Sequence, residues 1–415
     1  MTEAASTERS GGFQKIAIAT LVAGVGGYAI TTVVARYLGG DYRTFAAFWA
    51  VLYLIVGALS GIQQEITRAT HVRVGSSRSG EAKLLPLVLG LCLVVAVASL
   101  ASAFLWAPPI FGDQAVAFSI PIGVGAALYV GVAAVTGTMY GIKLWGPLSM
   151  MIALDVCVRL TLVVLALFFG WGIVALSWMV VVPFPIVLFL AWLTSRGRLI
   201  GFSVLDSSYR EIAINILKTV AAAASTAALV SGFPAFLGAA PGLASAESLS
   251  ALIFALTITR APLVVSTLAL QSFLVVYFRD RPQAWVASLV KIGVIVCVGG
   301  SVFAVAAWLW GSQVIEIIVG ASFALPGLTL GLLVLSSIPT AILALSGSAV
   351  LARSSHNYFS VGWIVSAIVA IAIVFSPLDL LPRTLLALTI GPIAGFVVHL
   401  AGLLRSDRSH PSIGV

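Results

Sequence analysis

Positively charged side chains interrupt the apolar stretches of this sequence. Five of them lie inside stretches of helix length: Arg36, Arg68, Arg159, Lys218 and Arg260. A charge inside the hydrocarbon layer of a membrane is costly, so such residues usually face protein or water and are candidates for function. Arginine binds phosphate through forked, permanently charged donors. These cations therefore predict a binding site for an anionic group.

Arg260 is the strongest of these candidates. It lies about thirteen residues into its predicted helix, near the middle of the bilayer, too deep to reach the interface easily. The residues one turn away are Ala255, Leu256 and Val264, and none of them is acidic. An arginine there needs a partner from another helix or from a ligand. A cavity role is favoured over a structural pair between helices, and both stay open.

Two acids stand at helix spacing from two of the other cations. Glu65 precedes Arg68 by three residues and Asp155 precedes Arg159 by four, so each pair shares a helix face. For Asp155 an internal ion pair is favoured, and a site for a coupling ion, which Glu65 would also suit, is the alternative. For Arg68 a self-satisfied pair and a basic group at the inner mouth of a cavity are equally supported.

The remaining cations lie closer to helix ends. Arg36 ends the first predicted helix at its outer side, where anchor and cavity roles are equally supported. Lys218 lies two turns into the seventh predicted helix, from where its ammonium can reach either the inner interface or a cavity. Lys291 and His399, also near helix ends, are expected at the interface.

The composition defines the class of protein. Of the 415 residues, 60% are hydrophobic and 9% are charged, whereas a soluble domain carries about 25% charged residues. Continuous apolar runs exclude a transmembrane barrel, which needs alternating hydrophobicity. The net charge is +8, but the sequence contains no polar domain that could bind nucleic acid. In a membrane protein, basic residues mostly indicate which connections lie in the cytoplasm. We expect an all-α polytopic membrane protein.

Twelve predicted membrane spans divide evenly about the polar connection 195–211. They cover residues 13–38, 44–70, 84–107, 116–141, 147–169, 173–194, 212–236, 248–277, 284–310, 327–350, 357–376 and 384–404. The tetrapeptide ITRA occurs once in each half, at Ile66–Ala69 and Ile258–Ala261. Equal halves are a common transporter device, with the binding site at their interface. We expect pseudo-symmetric lobes of six helices, 1–200 and 201–415, around a central cavity.

Basic residues between the spans fix the predicted orientation. With both termini in the cytoplasm, the outer connections hold only Arg43 and Arg383. The inner side holds Arg9, Arg73, Arg78, Lys83, Lys143, Arg196, Arg198, Arg210, Arg279, Arg281, Arg353, Arg405 and Arg408. This bias predicts a multi-pass protein of the bacterial cytoplasmic membrane.

Glycines and prolines predict bends within several spans. Gly24, Gly26 and Gly27 cluster in the first span and favour a bending gate. The prolines predict ordinary kinks and are Pro121, Pro183, Pro185, Pro234, Pro262, Pro339 and Pro392.

Three segments resemble the polysaccharide and lipid-linked-oligosaccharide flippases of the MOP superfamily (multidrug, oligosaccharidyl-lipid and polysaccharide transporters; Wzx-like, O-antigen type). Residues 31–68 are similar to the family's opening, with the helix end ARYLG and a closing arginine. Residues 136–176 are similar to its fourth-to-sixth helix region, and residues 314–342 to the hairpin and tenth helix of its second half.

The resemblance implies two lobes of six helices, a central V-shaped cavity and alternating access. It also implies that basic residues on the first, second and eighth helices meet the phosphate of the cargo; the matching positions are Arg36, Arg68 and Arg260. The sequence departs from relatives that carry two extra helices. Beyond Glu65 and Asp155 it also shows no acidic cation site of the kind found in drug exporters.

The resulting hypothesis is a flippase, not an enzyme, that moves a polyprenyl-(di)phosphate-linked saccharide from the inner to the outer leaflet for polysaccharide biosynthesis of the cell envelope. Its partners would be this lipid-linked saccharide, membrane lipids and glycan-biosynthesis enzymes. No cofactor or metal is expected, and a coupling ion, H⁺ or Na⁺, stays open.

Two other functions compete with this hypothesis. A cation-coupled multidrug exporter of the same superfamily would depend on Glu65 or Asp155, and the basic interior argues against it. A membrane glycosyltransferase or polymerase would need catalytic acids or a large loop outside, but the outer connections are short. Their acids are scattered, namely Asp41, Asp113, Glu247, Glu316 and Asp379.

Overall fold

Helices fill nearly all of the chain that the structure describes. The computed structural model describes residues 3–408 except 76–81, 202–203, 241–244, 282 and 354. Within these residues there is no strand, and one isolated β-bridge pairs Lys83 with Val204. The prediction of an all-α fold is confirmed.

The helices of the first part of the chain are α1 (Glu3–Leu38), α2 (Tyr42–Gly75), α3 (Leu84–Phe111), α4 (Ala115–Gly141), α5 (Trp145–Phe168), α6 (Ile173–Val181), α7 (Pro183–Ile200) and α8 (Tyr209–Val230). Those of the second part are α9 (Phe233–Ala239), α10 (Ala246–Arg260), α11 (Ser266–Ala269), α12 (Gln271–Arg279), α13 (Trp285–Val319), α14 (Gly327–Ala352), α15 (His356–Val374) and α16 (Leu380–Arg408).

Ten segments of the described chain are long and apolar enough to cross a membrane. Two of them, Gln14–Thr70 and Leu84–Gly141, each hold a pair of helices joined by a short 3₁₀ turn, at Gly39–Asp41 and Gly112–Gln114. Ten segments plus these two additional helices give twelve passages, in agreement with the predicted spans. The protein is therefore a polytopic membrane protein.

Three predicted spans are broken near prolines. The sixth ends at Val181 and restarts at Pro183, and the seventh is interrupted before Phe233–Ala239, whose first turn holds Pro234. The eighth changes from α-helix to a π-helical turn, Ala261–Val265, which contains Pro262. A proline lacks the N–H that the α-helical ladder needs, which accounts for the change of winding.

Other breakers sit inside continuous helices. Pro121, Pro339 and Pro392 lie within α4, α14 and α16. Helix α1 also runs through its glycine cluster without interruption. A Cβ atom on Gly26 would lie 2.5 Å from Cγ2 of Val156, so this glycine permits close packing on α5. The bending gate stays a prediction.

The chain forms two compact units, each of which is discontinuous in sequence. The first comprises Met1–Tyr37 and Ala47–Ala227, and the second comprises Leu38–Ala46 and Ala228–Val415. Helix α8 thus belongs to the first unit as far as Ala227. The units do not test a division of the sequence at residue 200, so the predicted lobe boundary stays a prediction.

In the first unit, glycines bring α2 into backbone contact with α8. A Cβ atom on Gly61 would lie 2.7 Å from the carbonyl oxygen of Thr219, and one on Gly57 would lie 2.6 Å from Cβ of Ala227. The Thr219 hydroxyl donates to the Gly61 carbonyl oxygen at 2.9 Å. Small residues four apart allow membrane helices to approach closely. We call this line of contact the α2–α8 seam.

Helix α4 packs on another face of α2, again through a glycine at the contact and threonine hydroxyl hydrogen bonds across it. A Cβ atom on Gly137 would lie 2.7 Å from the carbonyl oxygen of Gln63. The Thr67 hydroxyl donates to the Gly137 carbonyl oxygen at 3.1 Å, and the Thr136 hydroxyl donates to Oε1 of Gln63 at 3.0 Å. Helix α2 is therefore held from two sides, which fixes the position of the charges near its end.

In the second unit, the turn between α1 and α2 docks through an aromatic cluster. The Tyr42 ring meets the rings of Phe254 and Phe323 edge-on, with centroids 5.9 and 5.7 Å away. The Ser250 hydroxyl donates to the Gly40 carbonyl oxygen at 2.9 Å and accepts from the Arg43 N–H at 3.2 Å. These contacts explain why Leu38–Ala46 belongs to the second unit.

His399 is a correction to the sequence analysis, which expected it at the interface. Its ring is fully buried between α14, α15 and α16. Nδ1 lies 2.9 Å from the Ser346 hydroxyl, and Nε2 lies 3.2 Å from the Phe359 carbonyl oxygen. Gly362 leaves room for the ring. The side chain ties three helices together.

Arg383 is a second correction. Its place between two apolar runs predicted an outer connection, but it lies in the first turn of α16 and is 1% exposed. Lys291, expected at the interface, is exposed near the start of α13.

We expect Gly61→Ala to destabilise the protein, since the added Cβ would collide with the α8 backbone and overpacking costs about 1–3 kcal/mol. Gly24→Ala is the matched control, because nothing lies within 4 Å of its Cβ position. Thermal unfolding in detergent, followed by tryptophan fluorescence, should show a lower Tm for Gly61→Ala alone. Equal Tm values for the two variants would contradict the α2–α8 seam.

Candidate functional site

Arg68 lies in a charged cluster near the end of α2. Its Nη2 is 2.7 Å from Oε1 of Glu65, and its Nε donates to Oε2 of the same carboxylate at 2.9 Å. This two-point contact uses both carboxylate oxygens, the geometry in which an arginine–carboxylate pair is strongest. Glu65 is 3% exposed, whereas the Arg68 side chain is 44% exposed. The guanidinium thus keeps an open side although its charge is paired.

Two residues that the sequence analysis missed complete this cluster. Asn215 of α8 donates from Nδ2 to Oε1 of Glu65 at 3.1 Å, and Asp206 places Oδ2 3.5 Å from Nη1 of Arg68. Asn215 extends the α2–α8 seam beyond Gly61, and Asp206 lies in the connection that leads into α8. Spacing along one helix predicted the pair of Glu65 and Arg68, but no local pattern relates residues on α2 to partners so distant in sequence.

Arg159 is buried and fully engaged within the first unit. Its Nη2 donates to Oδ1 of Asp155 and its Nη1 to the Tyr53 hydroxyl, both at 2.7 Å, and its Nε donates to the Val180 carbonyl oxygen at 3.0 Å. The guanidinium carbon also lies 5.2 Å from the centroid of the Phe184 ring. The residue is 3% exposed. The structure shows the internal ion pair that the spacing favoured.

Asp155 is the more open member of this pair, with its side chain 25% exposed. Both of its carboxylate oxygens face Arg159, at 2.7 Å. A coupling ion at Asp155 would therefore compete with a guanidinium. The coupling roles of Asp155 and Glu65 stay predictions.

Lys218 is exposed, on the face of α8 opposite the apolar cluster against which this helix packs. Ile216, two residues earlier, is 5% exposed and packs in the apolar cluster beneath α8. Successive residues of a helix are 100° apart, so Lys218 lies about 200° from Ile216. Ala221, one turn later, is also exposed. Within the described chain, Lys218 has neither an ion pair nor a hydrogen bond through its ammonium.

Arg36 and Arg260 occupy contrasting settings. Arg36 is exposed in the last turn of α1, in the first unit. Arg260 is the last residue of α10, in the second unit, and is 6% exposed, with its guanidinium carbon 5.8 Å from the centroid of the Phe233 ring. The choice between a cavity role and a structural pair for Arg260 stays open. The π-helical turn follows it directly, and such turns often mark functional sites.

The structure thus contains two ion pairs between predicted site residues, Glu65 with Arg68 and Asp155 with Arg159. Arg36 and Lys218 lie in the same unit as these pairs, and Arg260 belongs to the other unit. The assignment of these cations to a phosphate site stays a prediction.

We expect Arg159→Met to lower the free energy of unfolding by about 3–5 kcal/mol, because it leaves the Asp155 carboxylate without its partner. The double variant Arg159→Met with Asp155→Leu should recover part of this loss, since no charge then remains. Thermal unfolding in detergent measures both. If the two variants unfold at the same temperature, the ion pair does not account for the stability of this site.

Comparison with known proteins gives relatives along the whole chain. No protein-family model matches it. An uncharacterized protein of Mycobacterium bovis is 26% identical over 406 residues, covering 96% of this chain and 93% of that protein. An uncharacterized protein of Mycobacterium tuberculosis is 27% identical over 398 residues, covering 95% and 92%.

Solved structures identify the fold. A multidrug resistance MATE family transporter of the MOP superfamily, in an inward-facing conformation, aligns with a TM-score of 0.71 and 16% identity over 93% of this chain and 96% of that chain. The lipid II flippase MurJ, in an inward closed conformation, aligns with a TM-score of 0.72 and 12% identity over 95% and 90%. The chain is therefore a multi-pass membrane protein with the fold of MOP superfamily transporters.

Proposed function

We propose that the protein is a flippase that moves a polyprenyl-(di)phosphate-linked saccharide from the inner to the outer leaflet by alternating access. The observation that carries this proposal is Lys218, an exposed cation on a membrane-spanning helix with no acid paired to its ammonium in the described chain. The lobes would rock, no covalent chemistry would occur, and cationic side chains would hold the phosphate.

The balance of charges supports an anionic cargo. Glu65 and Asp155, the acids that the sequence offered as cation sites, are each bound by an arginine of the same helix. Lys218 has no ion pair with any acid that the structure describes, and a lysine ammonium binds phosphate as a point charge. A charge kept in a membrane span without a partner usually faces a polar space or a ligand.

The fold supports a transporter. Both kinds of similar solved structure are transporters by name, a multidrug resistance transporter and a lipid II flippase. The likeness reaches the whole fold and does not extend to the cargo. The choice between these functions therefore depends on the chemistry of this chain's own side chains.

Arg36, Arg68 and Arg260 would act with Lys218 in this proposal. Arg68 would offer the open side of its guanidinium while Glu65 holds the other. Arg260 would become accessible only through a change near the π-helical turn, because it is 6% exposed in the present state. The basic connections support an orientation with both termini in the cytoplasm of a bacterium and with this protein in the cytoplasmic membrane.

A cation-coupled multidrug exporter is the second candidate, favoured by the likeness to MATE transporters. It would need Glu65 or Asp155 to exchange its arginine for H⁺, Na⁺ or a cationic drug. In that case, drug protection in cells should disappear in Glu65→Gln or Asp155→Asn.

We expect Lys218→Gln to slow transport of a fluorescent polyprenyl-diphosphate-linked saccharide across proteoliposomes by about ten-fold, the loss of roughly one charge-assisted hydrogen bond. Lys291→Gln is the matched control, because Lys291 is also an exposed lysine near the start of a long helix. Access of the label to an external quencher reports the movement.

Transport at the wild-type rate by Lys218→Gln, or equal slowing by both variants, would count against this role of Lys218. Absence of transport by the wild type, together with drug efflux that depends on Glu65, would favour the second candidate.

A further inference from the structure

Three arginines at one end of the second unit each contact an aromatic side chain, and we call them the arginine crown: Arg281, Arg353 and Arg405. The guanidinium carbon of Arg281 lies 4.1 Å from the centroid of the Tyr277 ring. That of Arg353 lies 4.7 Å from the Trp285 ring, and Nη1 of Arg405 donates to the Tyr358 hydroxyl at 2.7 Å.

Contacts through Arg353 tie the crown to a single helix-end cluster. Its Nη1 donates to the carbonyl oxygen of Leu403, two residues before Arg405. Its ring partner Trp285 begins α13, four residues after Arg281, and is 4% exposed. Trp285 and Leu403 share one apolar core with α14 residues such as Leu345. Arg281 in the connection before α13, Arg353 directly after α14 and Arg405 near the end of α16 therefore lie beside one packed apolar core.

The charge around the crown is strongly positive. Among the side chains that the structure describes, this end carries one acid, Asp280, and five cations, Arg279, Arg281, Lys291, Arg353 and Arg405. The last turn of α16 adds one acid and one cation by sequence, Asp407 and Arg408, so the balance stays positive. The Asp280 side chain is 62% exposed, and its Oδ1 lies 3.9 Å from Nε of Arg279. This contact is with Arg279, which is not one of the three arginines of the crown. A guanidinium that rests on an aromatic ring still presents its N–H edge to an anion.

Exposed apolar side chains lie next to the crown along the chain. Val276 precedes Tyr277 and is 43% exposed, Val286 follows Trp285 and is 52% exposed, and Leu404 precedes Arg405 and is 50% exposed. Phe273, one turn before Tyr277, is 61% exposed. A cationic edge beside an apolar surface matches an amphiphile with an anionic head and acyl chains.

We infer that the arginine crown binds the headgroup of an anionic phospholipid of the surrounding leaflet. Arg281 and Arg405 contact the phosphate, while the apolar side chains beside them contact the acyl chains. Basic pockets between membrane helices recognise anionic lipid headgroups by this combination of charge and apolar surface. The inference does not rest on the proposed flippase function, since it concerns a resident lipid.

The test uses the full-length protein in detergent and phosphatidylglycerol as the probe, with zwitterionic phosphatidylcholine of the same acyl chains for comparison. The crown variant is Arg281→Gln with Arg405→Gln, which leaves the buried contact of Arg353 with Trp285 in place. The matched control is Arg198→Gln with Arg210→Gln, which removes the same charge from exposed positions of the first unit. Thermal unfolding and retention of lipid in native mass spectrometry are the measurements.

We expect phosphatidylglycerol, but not phosphatidylcholine, to raise the Tm of the wild type and the control, and to remain bound in the mass spectrum. The crown variant should lose at least half of this Tm shift. An undiminished shift in the crown variant, an equal loss in the control, or an equal effect of phosphatidylcholine would overturn the inference. Glycerol phosphate that reproduced the whole shift would show a site for free phosphate instead of a lipid.

Discussion

The structure depends on the neutralisation of carboxylates within helices that an apolar medium surrounds. Asp155 faces Arg159 through both oxygens, and Glu65 binds Arg68 through both of its own while also accepting from Asn215. A buried carboxylate that lost its partner would be strongly destabilising. Each of these carboxylates is therefore occupied by an arginine in the structure. Among the residues that the structure describes, no acid forms an ion pair with Lys218.

The α2–α8 seam determines where the charged side chains of these two helices lie. Gly57 and Gly61 allow the backbones of α2 and α8 to approach closely, and the Thr219 hydroxyl stabilises this contact by donating to the Gly61 carbonyl oxygen. Lys218 precedes Thr219 by one residue and so points to a different side of α8 from the face that makes this contact. The same seam carries Asn215 to Glu65. The α2–α8 seam thus brings Asn215 to the ion pair of Glu65 with Arg68, and it also sets the side of α8 on which Lys218 lies.

Much of the fold follows from the sequence because its signals are local. Apolar runs of membrane length predicted the twelve passages, and the spacings of Glu65 with Arg68 and Asp155 with Arg159 predicted contacts within one helix. Partners on other helices leave no such signal. His399 looked interfacial from its distance to the helix end, whereas three packed helices bury it.

The depth of a cation along its helix proved a poor guide to its exposure. Arg260 lies near mid-membrane by its position in the sequence, and the residue is 6% exposed. Lys218 was expected to reach either the interface or a cavity, and its exposure depends on which side of α8 it occupies. That side is set by the tertiary contacts of Ile216 and Thr219, which a single sequence does not disclose.

The most direct test of the central claim is the chemical accessibility of position 218. Lys218→Cys, in a background with Cys92, Cys157 and Cys297 replaced by alanine, would be treated with a water-soluble maleimide in proteoliposomes. The account predicts that the thiol reacts and that a prenyl diphosphate slows the reaction. A thiol that stays unreactive, as one facing lipid would, or one whose reaction the diphosphate leaves unchanged, would contradict an anion-binding role for this position.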